Sequence, residues 1–303
     1  MSSINLRPGA YSDYKLLVEL SVEEFEWELS PSDFLIYDSF LPPDWFWVAE
    51  NDADEPVGFV AAVEHGPHDG YIGLLFVRKD QRGCGVGKVL LEKAMKKLEG
   101  RNISLVAEPH VMDIYLKNGF TVLHDYSLVT AEGFTTQAFF DKNHNIDGIN
   151  LQEPDQSMIE SVIRYDRAIS GHDRTLWCTR HLLHNPYATS LIALDSSTNA
   201  ICGYGTIKDI GIGKLKIGPL YADSEQIAKM ITFSLMSKFM KGPEDYKLCM
   251  YCMLASNQYP RNALAEELGL EMPYPMACMF TKYAPPIDKS KVYCLADCDV
   301  NVV

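Results

Sequence analysis

Apolar positions in this chain follow two rhythms. Short stretches rich in Val, Ile, Phe and Tyr (57–65, 71–77, 103–107 and 247–253) read as strands, with turn residues between strands at 51–55 and 195–199. Longer stretches repeat every third or fourth residue and read as helices. In 84–99, Val86, Leu90, Ala94 and Leu98 lie on one stripe and Gly100 follows as a stop; in 224–239, Ile227, Ile231, Leu235 and Phe239 do the same. Helical patterns also cover 13–25 and 155–169, and two short helices end at Gly119 and Gly269. The pattern predicts an α+β protein.

The order of these elements repeats. Ile4-Asn5-Leu6 recurs as Ile149-Asn150-Leu151, and the same shift of 145 carries Val57-Gly58-Phe59 onto Cys202-Gly203-Tyr204 and Ile72–Val77 onto Ile217–Ala222. One shift held over such a span predicts a unit used twice, joined by the polar stretch 141–147. The expected division is 1–145 and 146–303.

Composition removes several function classes. With Lys+Arg 27 against Asp+Glu 41, the net charge of −14 disfavours a non-specific nucleic-acid binder and attraction to an anionic membrane. No apolar run approaches the roughly 18 residues that span a bilayer, and the first residues carry no leader pattern, so a cytoplasmic protein is expected. Eight scattered cysteines do not make a disulfide scaffold. Cys249 and Cys252 are spaced C-x-x-C, but on a strand their thiols point to opposite faces, and no metal site is expected. His181 and His184 read as a surface pair, and Trp45, Phe46 and Trp47 as packing.

One segment reverses the charge. From Arg78 to Arg101 there are eight basic residues against three acids, a net +5, and Gln81-Arg82-Gly83-Cys84-Gly85-Val86-Gly87-Lys88 opens the long helix there. Glycines at 83, 85 and 87 let the backbone turn tightly and approach a ligand, and the unpaired amides of the loop and first helical turn form an anion nest reinforced by the helix dipole. A Walker loop is excluded because Val89 follows Lys88. A dinucleotide fingerprint needs βα alternation, which the strand meander does not supply. A plain glycine turn at a helix start remains the alternative, weakened by the basic cluster.

The string from Val77 through Arg82-Gly83-Cys84-Gly85-Val86-Gly87 resembles motif A of the GCN5-related N-acetyltransferases (GNAT), and Ile114-Tyr115-Leu116-Lys117-Asn118-Gly119-Phe120 resembles their motif B. The second half, at Tyr165-Asp166-Arg167, Gly171-His172-Asp173-Arg174 and 217–223, resembles the C-terminal domain of the YitH and holothin acetyltransferase group. The resemblance implies two tandem domains, each a mixed, mostly antiparallel sheet flanked by helices. It also implies acetyl-coenzyme A as co-substrate, held by the 82–88 loop, with Leu75, Phe76 and Val77 on the pantetheine arm and Tyr115 as the acid for the departing thiolate. Where many members carry asparagine, this chain reads Glu108-Pro109-His110.

In the second copy the loop is four residues shorter and reads Asp223-Ser224-Glu225-Gln226, with Asp223 spaced as an N-cap, and Tyr115 corresponds to Ala265. The expectation is therefore one cofactor site, in the first domain, with the second domain supplying substrate contacts or stability. For the base, Glu64 is the candidate, with His65 and Tyr71 flanking an acceptor pocket. Asp166 and Arg174 either face the cleft between domains or form an internal ion pair. The expected activity is transfer of an acetyl group to an amine of a small molecule. The alternatives are a peptide or protein amine and a non-catalytic acyl-coenzyme A sensor.

Overall fold

The computed structural model describes residues 4–254, 262–273 and 275–298, with the backbone alone for 123–126. The first half runs β1 (Asn5–Pro8), α1 (Tyr11–Phe25), α2 (Pro31–Tyr37), β2 (Phe46–Glu50), β3 (Pro56–His65), β4 (Asp69–Val77), α3 (Val86–Lys97), β5 (Asn102–Ala107), α4 (Met112–Lys117) and β6 (Thr121–Gly133). A short helix, α5 (Gln137–Phe140), leads to the second half. That half runs β7 (Ile149–Gln152), α6 (Ile159–Ser170), α7 (Thr175–Cys178), β8 (Ala188–Asp195), β9 (Ile201–Gly211), β10 (Lys214–Ala222), α8 (Glu225–Met236), β11 (Lys247–Met253), α9 (Ala263–Leu268), β12 (Pro275–Phe280) and β13 (Val292–Cys294).

The repeat seen in the sequence is carried into strand register. Gly58 faces Val77 across β3 and β4, and 145 residues later Gly203 faces Ala222 across β9 and β10. In each half the long helix follows this hairpin and lays its apolar stripe on the sheet: Val86, Leu90 and Ala94 of α3, and Ile227, Ile231 and Leu235 of α8. Lys96 and Lys97 in the last turn of α3 complement its dipole. Helix α6 starts at Ile159, later than its periodicity predicts. Asp155 accepts from the backbone and side chain of Ser157, and this local turn competes with helix.

The halves are not laid side by side as separate sheets. The main path of the sheet is β1-β2-β3-β4-β5-β12-β6-β11-β10-β9-β8-β7, with β13 added on β10. Strand β12 inserts between β5 and β6, and β6 inserts between β12 and β11, so each half is completed by a strand of the other. A shared core results: Phe46, Phe59 and Phe76 of the first half belong to the same packed cluster as Tyr204, Tyr221 and Tyr251 of the second. Trp45 and Phe46 are buried in it, which bears out their reading as packing. No helix among the described residues is long and apolar enough to cross a membrane.

Candidate active site

Strand β4 decides where the site lies. Its register with β3 runs from Ala62↔Ile72 through Ala61↔Gly73 to Phe59↔Phe76, so Val60 stands opposite both Leu74 and Leu75. Leu74 has φ +53, a left-handed conformation that is costly for a leucine and that marks a bulge. Pairing with the parallel β5 is confined to Asp69–Tyr71 against Asn102–Ser104. Beyond that point the two strands splay, and the edge of β4 from Ile72 onward faces an open cleft.

At one end of the cleft the chain turns from β4 into α3. Gly83 (φ +78) and Gly85 (φ +91) take left-handed conformations that favour glycine, and a Cβ on either would project into open space. The amide of Val89 bonds to Gly85 O, whereas among the described residues those of 83–88 have no protein acceptor. Six such amides at and before a helix N-terminus have the chemistry to hold a pyrophosphate. The backbone of Cys84 and Val86 takes part in this nest, but their side chains do not line the cleft: Cys84 points outward and Val86 into the core. Lys88 is exposed and pairs loosely with Glu92 at 3.8 Å. Arg82 lines the cleft and is also tied to the protein. Its Nε donates to Val77 O at 3.0 Å, it pairs with Glu24 at 2.5 Å, and it lies over the Phe25 ring, so it ties the loop to β4 and α1.

The cleft has a volume of about 1400 Å³ and continues inward between the halves. Tyr115 of α4 lines it, packed edge-on against Phe120 with 5.9 Å between ring centres. Burial, with the charge of Glu108 adding to it, pushes the phenol up to about 12, so it keeps its proton at neutral pH. Phe25, the last residue of α1, and Trp27, just after it, set their rings against Phe76 at 6.0 Å each. The inner wall comes from both halves: Glu28, Tyr71 and Glu132 from the first, Lys247, Tyr251 and Cys298 from the second. Glu132 accepts from Lys214 at 2.9 Å. Tyr71 is buried and its hydroxyl donates to the carbonyl of Cys298.

Several residues expected at the site lie elsewhere. Glu64 does not reach the cleft. It sits opposite Gly70, at the far end of β4 from the bulge, and is held by Arg101 at 2.8 Å and Lys97 at 3.7 Å. His65, opposite Asp69, is equally removed. Asp166 and Arg174 do not line it either; they form a buried ion pair in the core of the second half. Tyr204 donates to Asp166 at 2.5 Å, and Arg174 donates to Tyr221 at 3.2 Å. His181 is not on the surface: it stacks on Trp177, and burial pushes its imidazole down to about 3. Among the described residues no cluster of three His, Cys, Asp or Glu could hold a metal ion. Conversely, Glu28, Glu132, Lys247, Tyr251 and Cys298 carry no sequence signal, because only the packing of the two halves against each other brings them to one place.

The second copy has the same split but fills it. Strand β10 pairs with β11 over Lys214–Ile217 and then bulges at Gly218-Pro219. Beyond the bulge β13 occupies the gap, Cys294 facing Leu220 and Val292 facing Tyr221. The fit is close: a Cβ on Gly218 would lie 2.1 Å from the Leu295 carbonyl oxygen. Ser224, and not Asp223, caps α8, accepting from the Ile227 amide at 3.4 Å; Asp223 accepts from Tyr165 at 3.0 Å and pairs with Lys291 at 2.9 Å. A helix starting on a shorter loop places the serine, not the aspartate, one residue before its first turn.

Comparison with known proteins decides the family. The acetyltransferase (GNAT) domain is matched at residues 42–122, and a second model of that description at 162–294. The chain belongs to the GNAT acetyltransferases. It is a tandem GNAT protein, as both models and the two splits indicate. The peptidyl-lysine N-acetyltransferase YjaB of Escherichia coli (strain K12) is 49% identical over 57 residues, 19% of this chain and 35% of that protein. YjaB of Salmonella typhimurium is 38% identical over 84 residues, 27% of this chain and 54% of that one. The matched stretch thus spans from about a third to about half of these curated relatives. A tandem GNAT protein from the clavulanic acid biosynthesis pathway superposes with a TM-score of 0.64 at 15% identity, covering 92% of this chain and 98% of that one. A Pyrococcus horikoshii protein does so with 0.74 at 19% identity, covering 98% and 96%. At such identities these two show the fold.

Proposed function

We propose that the first half of this GNAT protein, residues 1–145, transfers an acetyl group from acetyl-coenzyme A to a primary amine on a small molecule, and that residues 146–303 bind no cofactor. The observation that carries this reading is the contrast between splits: the β4/β5 opening leads to six unpaired amides at 83–88, whereas β13 fills the β10/β11 opening. The second half takes part by walling the acceptor end with Lys247, Tyr251 and Cys298. Its motifs support placing the chain in the YitH and holothin acetyltransferase group.

The co-substrate supplies an activated thioester. The loop amides would hold its diphosphate and the open edge of Leu75, Phe76 and Val77 its pantetheine arm, orienting the carbonyl carbon toward the inner cleft. Tyr115, protonated at neutral pH, would give its proton to the sulfur as the carbon–sulfur bond breaks. A cleft that ends between the halves, closed at Tyr71 by the Cys298 carbonyl, supports an acceptor of limited size. The YjaB relatives, named for peptidyl-lysine, favour a lysine side chain as the second reading.

The test is free-thiol release from acetyl-coenzyme A with a panel of phenethylamine, putrescine, free amino acids and an N-terminally blocked lysine peptide, with mass spectrometry of the product. Turnover on the small amines is expected; turnover on the peptide alone would select the second reading, and binding without turnover would leave a sensor.

A further inference from the structure

We infer that Glu28 is the group that takes the proton from the attacking amine. The inference rests on the acetyltransferase reading above and adds the residue which that reading lacks, since Glu64 lies at the wrong end of β4. Five carboxylates line the cleft among the described residues: Glu26, Glu28, Glu108, Glu132 and Glu271. Glu26 and Glu271 are exposed to water. Glu108 is paired with His110 at 3.2 Å, and Glu132 is neutralised by Lys214 at 2.9 Å and Lys247 at 3.9 Å. Glu28 differs from all of them. It is buried, at 9% exposure, and it is held by a hydroxyl instead of a close ammonium: Tyr251 donates to Oε2 at 3.0 Å. Among the described residues its Oε1 accepts no hydrogen bond, with Lys214 Nζ 4.0 Å away.

Its position fits the chemistry. Glu28 follows Phe25 and Trp27, whose rings pack on Phe76 at the open edge of β4, and all four residues line one cleft. The groups facing it are Lys214 and Lys216 of β10, Tyr251 and Cys249 of β11, and Glu132 of β6. Lys216 donates to the main-chain carbonyl of Glu28 at 3.3 Å, and Glu28 lines the cleft. Burial raises the Glu28 carboxyl above the ordinary glutamate value, and Lys216, Tyr251 and Lys214 oppose that rise. A raised carboxylate is the better proton acceptor near neutral pH. The step balances from the free-base amine, whose ammonium proton goes to solvent before attack: the amine nitrogen bonds to the carbonyl carbon, one N–H proton passes to Glu28, the carbon–sulfur bond breaks and the sulfur takes the proton of Tyr115. Solvent then returns the proton from Glu28 to the phenolate.

The pH profile of kcat/KM, calculated for the free-base form of the amine, tests this, using the fastest amine of the panel above. The wild type is expected to lose activity on the acid side as Glu28 becomes protonated. Glu28→Gln is expected to lower kcat by about 100-fold or more and to abolish that acid limb, with the Kd for acetyl-coenzyme A, measured by calorimetry, changed less than about twofold. Glu28→Asp is expected to restore part of the rate with the limb. Tyr251→Phe removes a hydrogen bond to the ionised form, so it is expected to move the limb to higher pH; this variant carries the test if Glu28→Gln does not fold. An unchanged limb and rate in Glu28→Gln, or an unmoved limb in Tyr251→Phe, would overturn the assignment. No thiol release by the wild type with any acceptor would overturn the parent reading, and this one with it.

Discussion

Two openings in one sheet have different fates. In the first half, β4 and β5 part after three residue pairs and leave a cleft; in the second, β10 and β11 part after four and β13 fills the space. Both hairpins bulge just beyond the split, one at Leu74-Leu75 and the other at Gly218-Pro219. The shared backbone therefore makes an opening without choosing its occupant. Residues farther along each half make that choice: glycines and unpaired amides at 83–88 on one side, a capped helix and the chain's own C-terminal segment on the other.

The contrast can be broken from its sealed side first. Arg174→Met leaves Asp166 buried without its cation, and losing one partner of such a pair costs about 3–5 kcal/mol. Chemical denaturation should show the whole chain destabilised, because the ion pair lies in the core shared by both halves. A loss below about 1 kcal/mol would mean that the pair adds nothing to the second half's frame.

On the open side, Tyr115→Phe should reduce kcat by about 100-fold with little change in acetyl-coenzyme A affinity. Since the phenol titrates near 12, the wild-type rate should show no alkaline fall from this group until pH approaches that value: below it the acid form persists, above it the proton is lost. An alkaline limb near pH 8 or 9 that disappears in Tyr115→Phe would contradict the buried environment of this ring.

Gly85→Val should weaken coenzyme A binding by about tenfold or more, because φ +91 is poorly accessible to a β-branched residue and its Cβ would enter the anion space. Calorimetry of the wild type should find one equivalent bound per chain; two would reopen the β10/β11 split as a site. The smallest effect is expected at Glu64→Gln. Its carboxylate is partly exposed and meets Arg101 and Lys97 at the far end of β4, so about 1 kcal/mol or less of stability and no loss of turnover should result.

Much of this was legible in the chain. The shift of 145 anticipated strand register to the residue at Gly58↔Val77 and Gly203↔Ala222, because hairpin register is fixed by local alternation. The Gly83–Gly85 loop was legible for the same reason: its conformation is written in the residues that adopt it. Glu64 misled because strand-end position in the sequence does not say which end of β4 opens, and that depends on where β5 leaves it. Asp166 and Arg174 left two readings open until their burial with Tyr204 and Tyr221 selected the ion pair. The exchange of β6 and β12 had no local signature, since an apolar closing strand reads alike whichever neighbour it joins.

That exchange bears on the history of the duplicate. A second copy that shared no strands with the first would be free to erode or be deleted. Here its penultimate strand is stitched between β5 and β6, so a gene cut near codon 145 would yield a fragment with two raw sheet margins and part of the cleft wall gone. Through the shared strands the second copy is part of the frame of the first.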